Sequence, residues 1–141
     1  MAITTSLCNV TRAAWLNGRH LPAHNYRIAL YDDNATLGSG TTRYLTINEI
    51  SGSGYVAAGE LLAGFVTVMS GAVAYLDFTP DPAWGPTSTF SARGVLLYND
   101  SLTSKEAIAT YDFGSVKEVS SGTFTVQLPS PTTTTALVRI T

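Results

Sequence analysis

From residue 63 onward the chain is a succession of short runs rich in Val, Phe, Tyr and Thr, with turn-forming residues between them. This rhythm constrains the fold more than any other feature, because regular short apolar runs with turn signals between them are the pattern of antiparallel β structure. "GFVTVMS" and "AVAYLDF" flank Ser70-Gly71, which predicts a tight hairpin. "TPDPAWGP" carries Pro80, Pro82 and Pro86 and predicts a rigid, exposed loop. "TSTFSARGVLLYN" predicts a long strand with a bulge at Arg93-Gly94. "EAIATYDFG" and "GTFTVQLP" read as two further strands, the first ending in a turn at Asp112 to Gly114, the second with Phe124, Val126 and Leu128 on one face. "SPTTTT", including Thr132 to Thr135, reads as an extended connection into the last strand, "ALVRIT".

The first 25 residues read differently. "TSLCNVTRAAWLNG" predicts a short helix capped by Ser6, with Leu7, Val10, Ala14 and Trp15 on its buried side and Asn17-Gly18 as its stop. "GRHLPAHN" is a loop. "YRIALY" (Tyr26 to Tyr31) alternates like a strand, and one helical turn is expected between Thr42 and Asn48. The expected architecture is therefore all-β: an antiparallel β-sandwich of jelly-roll type with one or two short helices near the N-terminus. It forms a single domain over 1–141, with helix and loop in 1–25 and strands in 26–141.

A chain of 141 residues can bury roughly two-thirds of its unfolded surface, so no disulfide or metal staple is required. Cys8 is alone, which excludes an intrachain disulfide. The net charge of −2, with scattered Lys and Arg, offers no footprint for direct nucleic-acid binding. The opening residues lack the basic region and apolar core of a signal peptide, and no apolar run is long enough to span a membrane. The expectation is an intracellular protein, or one that leaves the cell inside an assembly, with no membrane partner. Charged residues make up only 13% of the chain, about half the usual share, which points to surface covered by a partner.

No catalytic, cofactor or metal site emerges, and the chain is not read as an enzyme. His20 and His24 have ligand spacing, but Pro22 between them removes the helix that would align them, leaving two solvated loop histidines. Asp77 and Asp81 flank a proline loop without a third ligand. "GSGYVAAG" lacks the Lys-Ser/Thr of a phosphate loop, and the Asp112-Phe113-Gly114 triplet stands without the other kinase motifs. The candidate interface residues are Trp15, Trp84, Arg93 and Tyr98. Trp84 has two readings, packing on its own sheet or anchoring a partner. Arg93 is expected to pair with a carboxylate or carbonyl at the sheet edge. "SARGVLLYND" carries no alternation, so both its faces should be covered, one by the core and the other by the N-terminal helix or a neighbouring chain.

Four ordered motifs carry a resemblance: N-E-I-S-G-S-G-Y (Asn48 to Tyr55), A-R-G-V-L-L-Y-N (Ala92 to Asn99), D-F-G-S (Asp112 to Ser115) and G-T-F-T-V (Gly122 to Val126). Together they resemble a family of small virion structural proteins of tailed bacteriophages. The resemblance implies a capsid cement (decoration) protein, made in the host cytoplasm and placed on the capsid exterior. Its partners would be the major capsid protein and itself, as a homodimer or homotrimer on a symmetry axis. A tail, neck or fibre-attachment component is the alternative, and a carbohydrate-binding module using Trp84 as a stacking platform is a second one.

Overall fold

The computed structural model describes residues 2–129 and 138–140. Among these the order is β1 (Ser6–Leu7), α1 (Asn9–Leu16), β2 (Tyr26–Tyr31), β3 (Glu60–Leu61), β4 (Val66–Ser70), β5 (Val73–Asp77), β6 (Ala83–Asn99), β7 (Ala107–Thr125) and β8 (Val138–Ile140). The strands form two antiparallel sheets, β1-β7-β6-β2-β3 and β4-β5-β8. No helix among the described residues is long and apolar enough to cross a membrane. Thr132 to Thr135, expected as a connection, lie outside the described residues.

The fold is organised by the β6–β7 hairpin, longer than expected. β6 begins at Ala83, so the second half of the anticipated proline loop, Ala83 to Pro86, is strand. Pro86 is accommodated because it falls in the register shift between Trp84 and Ser88, where no ladder N–H is needed. β7 runs without interruption through Asp112 to Gly114, where a strand end had been expected. The anticipated bulge is present as a register shift between Ala92 and Gly94. Gly94 is required there: a Cβ would lie 2.5 Å from the Tyr111 carbonyl oxygen and 2.9 Å from the Ile3 side chain.

Both faces of the larger sheet are covered where β2 pairs with the Gly94–Asn99 end of β6 and the start of β7, whereas the far half of the β6–β7 hairpin keeps one face exposed. On one face Tyr26, Ile28, Leu30, Val95, Leu97 and Ile108 pack with Leu76, Phe78 and Val138 from the region of the smaller sheet. On the other, Ala29, Tyr31, Leu96, Tyr98 and Ala107 pack under Ile3, Cys8, Ala35 and Leu37. The N-terminal segment and the 35–37 loop thus cover the second face of "SARGVLLYND" within one chain.

Three local expectations are corrected by backbone pairing. Ser6 does not cap the helix: Ser6 and Leu7 pair with Thr110 and Ala109 of β7, and the helix starts after an extended Cys8. Its buried positions are Thr11 and Ala14, with Val10 and Trp15 half-buried, and Asn17 caps its C-terminus. The Thr42 to Asn48 segment is not helical, because Tyr44 donates its N–H to the Lys105 carbonyl and the Thr42 carbonyl accepts from Ala107. In the β4–β5 hairpin Ser70 pairs with Val73, so the turn is Gly71-Ala72, one residue later than expected.

Candidate interaction surface

Two of the four candidate interface residues are core residues. Trp84 is 4% exposed, in an aromatic pile with Tyr55, Phe90 and Phe124 at centroid distances of 6.1 to 6.4 Å. Its neighbouring prolines argued for an exposed loop, but β6 turns its side chain inward opposite Phe124. Tyr98 is fully buried on the second face: its ring stacks on Tyr44 at 4.8 Å and its hydroxyl donates to the Ala58 carbonyl at 2.6 Å. Neither is available to a partner.

Arg93 has carboxylate partners, as its sequence context predicted. Its Nε donates to Asp112 Oδ1 at 2.7 Å, and its Nη1 donates to Asp33 Oδ1 at 2.9 Å. Asp112 also accepts the Gly114 N–H at 2.9 Å. These hydrogen bonds, first that from Arg93, hold the Asp112 carboxyl below the usual carboxylate range. The A-R-G and D-F-G motifs therefore meet each other at the bulge.

The N-E-I-S-G-S-G-Y motif is likewise a scaffold. Glu49 accepts hydrogen bonds from the Tyr44 and Tyr55 hydroxyls and from the Ala58 N–H. The Tyr55 hydroxyl in turn accepts the Leu30 N–H at 3.0 Å, which ties the 44–58 loop to β2. The Ser53 carbonyl accepts the Thr89 N–H at 2.9 Å, laying the loop on β6. Gly54 permits this approach, since a Cβ there would lie 2.2 Å from Ser88 Oγ in a left-handed backbone (φ +86°). Glu49 was missed from sequence, although it is the single carboxylate between Asp33 and Glu60 and sits between two tyrosines.

His20 is also misread from sequence: it is 4% exposed, because α1 and the end of β6 close over it. Asn99 Oδ1 accepts the Ser101 N–H at 3.0 Å, which turns its amide nitrogen toward Nδ1 of His20 (3.0 Å) and of His24 (2.9 Å). Both rings thus present a bare Nδ1, and the His20 proton sits on Nε2, 2.8 Å from Thr11 Oγ1. Burial pushes the His20 pKa below its ordinary 6.5, with Arg19 and His24 adding to the shift and Glu106 opposing it. The unfolded chain therefore takes up this proton more readily than the folded one. Stability from His20 is complete above about pH 6.5 and falls as pH drops toward the lower folded value, with a slope of at most about 1.4 kcal/mol per pH unit. Denaturant unfolding across this range should show the decline, and His20→Gln should flatten it.

The Cys8 thiol is buried and pushed up to about 11 by desolvation, so it is not a reactive thiol. Asp77 is buried at the end of β5, while exposed Asp81 accepts the Leu128 N–H. Among the described residues no group of three or more His, Cys, Asp or Glu is placed to hold a metal ion.

One accessible surface with a large apolar share lies around Trp15, beside β4 and β8. Trp15, half-buried, packs tilted against His20 with the ring centroids 4.7 Å apart. It lines a cavity of about 200 Å³ with Thr67, Ala74, Leu76 and Val138. A neighbouring cavity of about 310 Å³ shares Trp15, Val138 and Arg139 and adds Leu7, Thr11, Arg12 and Leu16. Leu16 is 90% exposed, and every residue of β4 is exposed, with Met69 at 68%. Of the four nominated residues, Trp15 alone belongs to this surface. No family model, curated protein or solved structure matches the chain.

Proposed function

We propose that this chain is a non-enzymatic structural subunit of a tailed-phage virion, a capsid cement protein that binds the outside of the major capsid lattice and stabilises the head. The observation that carries the reading is the accessible groove along Trp15 and Leu16, rimmed by Arg12 and Arg139 and continuing to an uncharged, exposed β4 with Val66, Val68 and Met69, on a chain with 13% charged residues. Apolar surface of this kind is a liability on a free monomer and becomes interface in a lattice. The four motifs support it in a second way: their contacts described above are structural, as expected of a scaffold that presents a surface rather than a reaction centre. For the fold, we read the two sheets as the layers of a sandwich sharing the aromatic core, five strands facing three. The carbohydrate reading has lost its platform, because Trp84 is in the core.

Purified protein added to expanded shells lacking it should bind saturably, in proportion to the capsid lattice, and raise their resistance to heat. Leu16→Asp should fold normally, since the side chain it replaces is 90% exposed, and should bind shells at least tenfold more weakly, the cost of losing about 1.4 kcal/mol of apolar contact. Absence of shell binding, with labelling confined to the tail and a copy number of a few, would establish the tail or neck alternative instead.

A further inference from the structure

We infer that the outer edge of β4 is a self-association site at which two copies of this chain pair about a twofold axis through Val68. β4 ends the smaller sheet, and among the described residues no strand lies beyond it. The turn Gly71-Ala72 makes Ser70 and Val73 the hydrogen-bonded pair at its base. Alternation along the ladder then directs the backbone N–H and C=O groups of Thr67 and Met69 away from β5. Those groups form an open template for another strand.

β4 itself carries none of the residues that usually blunt such an edge. β4 contains no Lys, no other charge, no Pro and no bulge, and three of its five residues, Val66, Val68 and Met69, are large exposed hydrophobics. A second copy fits this edge on two grounds. In the antiparallel register centred on Val68, Thr67 faces Met69 of the other copy, and Val66 faces Ser70. The outward groups of Thr67 and Met69 then satisfy each other, four hydrogen bonds in all, and no like charges meet. The paired β4 and β5 strands carry one charged residue per copy, Asp77, and it is buried. An acidic or basic partner strand would find no counter-charge here. The product is a closed dimer with a six-stranded sheet, which uses up both open β4 edges.

The inference rests on the homo-oligomeric part of the cement reading, and its test is made in solution without shells, so that its failure leaves shell binding to stand or fall separately. Sedimentation of the full chain across a concentration series should show a dimer. Val68→Lys, at an exposed position, places two ammonium groups at the axis and should halve the mass at the same concentration. Val68→Glu should do the same, and mixing the two variants should restore the dimer as a heterodimer. Val68→Cys should crosslink on mild oxidation, because residues facing each other at a non-hydrogen-bonded position have Cα atoms about 4.5 Å apart, within disulfide reach. Ser70→Cys should not, since its opposite residue is Val66. A monomeric or trimeric wild type, a dimer indifferent to Val68→Lys, or equal crosslinking of the two cysteine variants would overturn the inference.

Discussion

Replacing Leu96 with Asp is expected to leave no folded chain. Leu96 is fully buried near the middle of the second face, on the strand that pairs with both β2 and β7. The loss has two parts. Burial of a leucine side chain is worth about 1.5–3 kcal/mol. A carboxylate left unpaired in its place costs several kcal/mol more, even after relaxation. Its surroundings are Ile3, Cys8, Ala29, Leu37 and Ala107, which offer no side-chain cation. The sum approaches or exceeds the roughly 5–15 kcal/mol that holds a typical domain folded. Leu96→Val, which removes one methylene, should cost about 1 kcal/mol and remain folded. The check is a paired comparison of recoverable folded protein and cooperative thermal unfolding. A cooperatively melting Leu96→Asp variant would mean that the second face opens to solvent, contrary to the packing of the N-terminal segment over it.

That face also shows where the sequence is informative. "SARGVLLYND" lacks alternation, so both its faces had to be covered; the aromatic core takes one, and Ile3 and Cys8 ahead of the helix, with Ala35 and Leu37, take the other, where the helix itself or a neighbouring chain had been expected. The β4–β5 hairpin and β2 are equally legible, because apolar composition and turn residues lie next to each other in the chain. The misreadings share a different cause. His20 is buried through Asn99, 79 residues away, and Ser6 joins a sheet through Thr110. Local composition contains no trace of such partners. Pro80, Pro82 and Pro86 speak for a loop by local rules, and only the irregular register of a long hairpin lets Pro86 sit inside a strand. Among the candidate interface residues, an aromatic next to prolines and an aromatic in an apolar run looked alike as contact residues. Trp84 and Tyr98 instead fill the two opposite cores, and Trp15 stays accessible because α1 is covered on one side only.

Trp84→Ala should destabilise the fold by about 3–5 kcal/mol, the range for truncating a large aromatic in a packed core. The indole touches Tyr55, Phe90 and Phe124, which come from the 44–58 loop, β6 and β7, so its removal opens a cavity where three segments meet. Tyr55 also hydrogen-bonds Glu49 and accepts the Leu30 N–H, so collapse into the cavity is limited by a network that fixes its ring. The full cavity cost is therefore expected rather than a relaxed one. Trp84→Phe keeps an apolar ring and should recover most of the loss. Denaturant midpoints for the three proteins measure this directly, with the slope of the transition unchanged if only stability is altered. The same comparison separates a core residue from a contact residue. A surface anchor truncated to Ala would lower partner or glycan binding while leaving the midpoint within about 0.5 kcal/mol of wild type. A buried Trp84 shifts the midpoint in the isolated chain, with no partner present.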